Sequence, residues 1–155
     1  MHLSSPAFDH GAVIPARHTC EGEDLSPPLR IEGVPRNAQT LVLIVEDPDA
    51  PGGTFVHWLL WNLSTETTDL PEGIPADEMV EGLAPAVQGR NDFGSIGYRG
   101  PCPPPGDPPH TYHFRLIALD SLIHLNPGSD RAQLEAAIAG KVLAETELTA
   151  TYSRG

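Results

Sequence analysis

Short apolar runs alternate along the chain with breaks rich in proline and glycine. Thr40-Leu-Val-Leu-Ile-Val-Glu46 is continuously apolar and β-branched, which predicts a strand covered on both faces at the centre of a sheet. Thr54 to Leu63 follows after a proline-glycine turn and reads as a second strand. Strict alternation puts Phe55, His57, Leu59 and Trp61 on one of its faces and Val56, Trp58 and Leu60 on the other. Tyr112 to Asp120 predicts a third strand with Tyr112, Phe114, Leu116 and Ala118 on one face. Leu143 to Tyr152 alternates between Ala144, Thr146, Leu148, Ala150, Tyr152 and Glu145, Glu147, Thr149, Thr151, the pattern of a half-buried strand.

One helix is predicted late in the chain. Asp130 and Gln133 have the spacing of a capping box, Leu134, Ala137 and Ile138 form an apolar stripe, and Gly140 ends it. Thr65 to Glu81 carries six acids, no base and two prolines, and reads as a solvated loop with at most one short turn of helix. Neither an internal repeat nor a linker divides the chain. Residues 1–155 are therefore expected to form one mainly β domain, a β-sandwich with a minor helical element.

Composition narrows this further. A chain of 155 residues is about one domain and can hold a core without metal or disulfide. Glycine and proline total 15 + 17 = 32 residues, which disfavours a helix bundle, and the glycine has no collagen period. No apolar run approaches the ~18 residues of a membrane span. The net charge of 9 − 21 = −12 argues against nucleic-acid binding and against a polybasic membrane mode. The N-terminus has neither the basic nor the apolar region of a signal peptide, so a cytoplasmic location is expected. In such a compartment Cys20 and Cys102 are expected as free thiols, although the sequence leaves open whether they pair.

Chemistry-bearing residues gather at three points. Asp47-Pro-Asp-Ala-Pro51 stiffens two carboxylates at a strand end. His57 lies in an otherwise apolar strand and needs a partner, which Asp47 or Asp49 could supply on a hairpin-like return. Gly97 to Tyr112 holds six prolines and three glycines in sixteen residues, so it is an irregular loop, and it delivers His110 and Tyr112 to the start of a strand. Its glycines allow backbone N–H groups to approach a ligand. Metal-type histidine spacing and a Gly-x-Ser-x-Gly elbow are both missing. The residues call for no metal or other cofactor.

Together these segments resemble the phosphatidylethanolamine-binding protein family, in its bacterial and archaeal Raf-kinase-inhibitor-like branch. The resemblance rests on Asp47-Pro-Asp-Ala-Pro51, His57-Trp58, Gly97-Tyr-Arg-Gly-Pro-Cys-Pro-Pro104 and His110-Thr-Tyr112. Asn91-Asp-Phe-Gly94, His18-Thr-Cys-Glu-Gly22 and Ser26-Pro-Pro-Leu29 add to it. It implies a large sheet packed on a smaller one, short helices at the edge, and a pocket for phosphate-like anions and phospholipid head groups. In that pocket Asp47 and His57 match the acid and the histidine, and His110 and Tyr112 match the second histidine and the tyrosine. Gly97, Gly100 and Pro101 match a rim-forming loop. Thr111 stands where the family commonly has arginine, which removes a rim cation. Animal members continue into a C-terminal helix over the pocket, so this chain is expected to have an open pocket or one closed by a second subunit.

The expected function is non-catalytic binding of a small anion or phospholipid head group, with a signalling or protease partner as a further expectation. On this reading backbone N–H groups near Gly100, the Tyr112 hydroxyl and an N–H of His57 or His110 hold the anion. Asp47 orients a histidine or accepts from a ligand ammonium, and binding strengthens as pH falls through ~6.5. The alternatives are a kinase or protease inhibitor acting through its surface, and a hydrolase or metal enzyme using His57, His110 and Asp47. No nucleophile with an adjacent base supports an enzyme.

Overall fold

The computed structural model describes residues 1–155. Nine strands occur in chain order: β1 (His2–Ser4), β2 (Leu29–Glu32), β3 (Thr40–Asp47), β4 (Phe55–Leu63), β5 (Asp69–Leu70), β6 (Met79–Val80), β7 (Ala86–Gln88), β8 (His110–Leu119) and β9 (Val142–Tyr152). Helix α1 (Arg131–Ile138) precedes β9, and two 3-10 turns span Ala16–His18 and Glu81–Leu83. The strands form a six-stranded sheet in the order β6-β7-β4-β3-β8-β9 and a three-stranded sheet in the order β1-β2-β5. All named pairs are antiparallel.

The layering follows from the sequence pattern. Every residue of β3 is buried, as its apolar run requires of a central strand. Leu41, Leu43 and Val45 face the main core, which fills the space between the two sheets and includes Leu3, Leu29, Ile31 and Leu70 of the small sheet. Val42 and Ile44 face a second core on the opposite side, where Leu134 and Ile138 of α1 close over Leu59, Trp61, Ile117 and Leu119. Burying each such aliphatic side chain is worth roughly 1.5–3 kcal/mol. At the edge strand β9, Leu148, Ala150 and Tyr152 point inward and Glu145 and Glu147 pair outward, as the alternation predicts. The capping box on α1 is present: Gln133 N–H donates to Asp130 at 3.0 Å and Asp130 N–H donates to Gln133 at 2.9 Å.

Strict alternation fails in β4. Its pairing with β3 shifts at Val45/Glu46, so that Val45 opposes Trp58 and Glu46 opposes Val56. His57 is the extra residue of a β-bulge. Trp58 and Leu60 therefore join the main core, while Val56, Leu59 and Trp61 join the second. His57 ends on the same side as Trp58, its ring 5.4 Å from that of Tyr112 in the main core. The expected split of β4 into odd and even faces is corrected accordingly.

The acidic segment from Thr65 to Glu81 is not wholly loop, since it supplies β5 and β6. Strands of two residues carry too little period to be read from pattern. The cysteines also differ from the free-thiol expectation. Cys20 and Cys102 form a disulfide with Cα atoms 5.4 Å apart, and no free cysteine remains. Backbone bonding brings them together: Cys20 N–H donates to the Pro101 carbonyl at 3.1 Å, and Gly100 N–H donates to Asp24 Oδ1 at 2.8 Å. No helix is long and apolar enough to cross a membrane.

Candidate functional site

β3, β4 and β8 are antiparallel neighbours, so the end of β3 and the starts of β4 and β8 meet at one edge of the large sheet. A cavity of about 220 Å³ opens there, lined by Asp47, Phe55, His57, Phe93, His110 and Tyr112, with Ala50, Pro51 and the Cys102–Pro104 segment. Four of the residues singled out in the sequence thus come together. Gly97, Gly100 and Pro101 do not line it.

Local bonding explains the rigidity of the β3–β4 loop. Asp47 Oδ1 accepts the Asp49 N–H at 2.8 Å, a side-chain-closed turn of the kind aspartate favours. Asp49 in turn accepts the Thr111 N–H at 2.8 Å and ties this turn to the start of β8. Across the pocket, Asp92 accepts the Val56 N–H at 2.8 Å and Asn91 donates to the Gly97 carbonyl at 2.9 Å. Phe93, between these anchors, sets its ring 4.8 Å from Phe55 and 5.6 Å from His57. The Arg99 guanidinium stands 4.7 Å above the Phe93 ring, and its side chain pairs with Asp24 at 3.4 Å.

The two histidines have opposite environments. His110 is almost fully buried, with Nδ1 2.7 Å from Asp47 and Nε2 3.1 Å from Asp107. Both nitrogens facing carboxylates means that both carry protons. Burial opposes that charge, but the hydrogen bonds to Asp47 and Asp107 outweigh it and raise the His110 pKa. His57 donates its Nδ1–H to the Arg99 carbonyl at 2.6 Å, which leaves Nε2 as a lone-pair acceptor in the neutral ring. Burial lowers the His57 pKa, and the Arg99 carbonyl and the nearby aspartates do not restore it. Tyr112 is pushed well up by burial and by Asp47 and Asp49, so its hydroxyl stays protonated and available as a donor.

Three expectations are corrected by this geometry. The partner of His57 is a backbone carbonyl; Asp47 orients His110 instead. The Gly100 N–H is taken by Asp24, so it cannot hold an anion. Gly100 is small because a Cβ there would lie 2.1 Å from the His18 carbonyl oxygen, and Gly97 packs against Ala76 with φ +92°. Finally, the pH response no longer centres on ~6.5. The raised His110 pKa and the lowered His57 pKa move histidine titration to either side of that value.

Stability follows the same signs. A raised histidine contributes fully below its unfolded pKa of about 6.5 and loses that contribution as pH rises through its folded pKa. A lowered one costs stability as pH falls from about 6.5 through its folded pKa. Thermal unfolding followed from roughly pH 5 to 9 should therefore show a Tm maximum that declines on both sides. His57→Gln should flatten the acid-side decline alone. A wild-type Tm that climbs steadily across that range would contradict the His110 assignment.

Sequence reasoning did not mark Phe93, Arg99 or Asp107 as parts of the site. Phe93 falls in Asn91-Asp-Phe-Gly94, which carries the family resemblance. Arg99 and Asp107 lie inside the proline-rich loop, whose irregular path hides what its side chains reach.

Fold and site together define a β-sandwich protein with a small, aromatic-walled polar pocket at the edge of its large sheet. The family model for phosphatidylethanolamine-binding protein matches residues 4–153, and the chain belongs to that family. It is 51% identical over 150 residues to a UPF0098 protein of Pyrococcus horikoshii, covering 97% of this chain and 75% of that one. Among solved structures, a phosphatidylethanolamine-binding protein homologue of Chlamydia trachomatis superposes with a TM-score of 0.88 at 42% identity, covering 99% of this chain and 97% of the other. Escherichia coli YbcL, described as a new member of the mammalian family, gives 0.90 at 34% identity over 99% of this chain and 98% of its own.

Proposed function

We infer that the chain is a non-catalytic binding protein whose pocket takes a small phosphorylated head group bearing an ammonium, of the phosphoethanolamine type. The observation that carries this reading is the pairing of opposite chemistries in one cavity. The Tyr112 hydroxyl and the His110 imidazolium suit an oxyanion, while Asp47 and the faces of Phe55 and Phe93 suit a cation beside it. Asp47 and charged His110 in the lining cancel, so a bare anion is poorly matched and a zwitterion is better matched. Volume agrees: drug-sized ligands occupy roughly 300–1,000 Å³, and about 220 Å³ admits a head group while leaving acyl chains outside.

Calorimetric titration with O-phosphoethanolamine and with inorganic phosphate tests this. The zwitterion should bind more tightly than phosphate. Tyr112→Phe, which keeps the ring in the core, should weaken it several-fold, about the value of one charge-assisted hydrogen bond. Absence of measurable binding to either ligand, or equal affinity in Tyr112→Phe, would sink the reading.

A further inference from the structure

His110 has two ring N–H groups, and the protein uses both. Its two carboxylate partners are not equivalent. The Asp47 side chain is 4% exposed, sits 2.7 Å from Nδ1, and is held by its second bond to the Asp49 N–H. The Asp107 side chain is 37% exposed, sits 3.1 Å from Nε2, and has no other hydrogen-bond partner. Its backbone, by contrast, is well anchored. Asp107 N–H donates to the Pro104 carbonyl at 3.2 Å, Gly106 N–H donates to the Arg154 carbonyl at 3.1 Å, and Arg154 Nε donates to the Pro103 carbonyl at 2.7 Å. Prolines at 103–105 and 108–109 stiffen both flanks. The Asp107 carboxylate can therefore swing into solvent while its backbone stays in place.

We propose that Asp107 is a built-in pseudo-ligand, a carboxylate of the protein that occupies the oxyanion position on His110 and must be displaced by the phosphate of an incoming ligand. The inference rests on the head-group reading and adds to it the residue that sets the selectivity threshold. A simple anion exchanges one charge-assisted hydrogen bond for another and gains little. A tetrahedral phosphate reaches several donors at once, and one carrying an ammonium also gains Asp47 and the aromatic faces. Asp107, which touches His110 from outside the pocket lining, thus keeps abundant small anions off an imidazolium N–H that would otherwise be bare.

The test is calorimetry of wild type, Asp107→Asn and Asp107→Ala with inorganic phosphate and with O-phosphoethanolamine. Glu66→Gln, beyond the far end of β4, controls for the loss of one negative charge. Both Asp107 variants should bind phosphate about tenfold or more tightly than wild type, the scale of one charge-assisted bond, and Glu66→Gln should stay within about twofold. In wild-type protein, saturating phosphate should move the Asp107 Cγ resonance. Wild-type binding with no gain in either Asp107 variant, or an unmoved Cγ signal at saturation, overturns the pseudo-ligand alone. Absence of binding in every protein overturns it together with the head-group reading.

Discussion

His110→Ala is expected to lose about 3–5 kcal/mol of stability, a Tm decrease of roughly 10 °C for a chain of this size. The reason lies in what the substitution leaves behind. Asp47 is buried at the end of β3, and His110 is its charged partner at 2.7 Å. Without the imidazolium, Asp47 keeps the Asp49 N–H but has no cation, and an uncompensated buried carboxylate is among the costlier defects a core can hold. The double variant Asp47→Asn/His110→Ala removes charge and partner together, and should recover a substantial part of the loss. Thermal or urea unfolding of the wild type, both single variants and the double variant completes the cycle. Additive single losses would show that the pair is not coupled, and would remove the basis for treating Asp47 as the group that orients His110.

Removing the disulfide should cost a similar amount by a different route. Cys20 and Cys102 are 82 residues apart, so the bond closes a loop containing β2 to β7. Loop closure of that length stabilises by about 4–5 kcal/mol through the unfolded chain. The folded protein has a local stake as well, because Cys102 lines the pocket and leads into the loop that carries Asp107 and His110. Cys20→Ser/Cys102→Ser should therefore unfold at a Tm lower by roughly 10 °C and bind O-phosphoethanolamine more weakly. A reductant should move wild type toward the variant and leave the variant unchanged. A variant as stable as oxidised wild type would show that the unfolded ensemble is already constrained without the bond.

The residues that make the fold differ in how visible they are in the sequence. β3 is legible because it is an unbroken apolar, β-branched run, β8 and β9 because each carries a sustained period, and α1 because Asp130 and Gln133 form its cap. The small sheet is not: β1, β2 and β5 run for two to four residues, and only tertiary packing makes strands of them. The candidate site divides in the same way. Asp47, His57, His110 and Tyr112 stand out as polar groups at the ends of apolar runs. Their partners are not legible, because Arg99 and Asp107 approach His57 and His110 from loops whose course depends on glycine dihedrals and a disulfide. Gly100 shows the limit most directly. Its family position suggested a ligand contact, whereas its environment shows a close approach to the His18 carbonyl.

The bulge at His57 links the pocket to the architecture through counting. Residues before and after His57 keep opposite parity along β4, and one inserted position reconciles them. Deleting that single residue would not merely remove an imidazole. It would make Val56 and Trp58 consecutive, and plain alternation would then keep Val56 in the layer beneath α1 and Trp58 in the main core, with the bulge gone. The layering of β4 therefore does not need position 57; the inserted residue serves the pocket, where it sets an imidazole beside Tyr112 without disturbing the packing on either face.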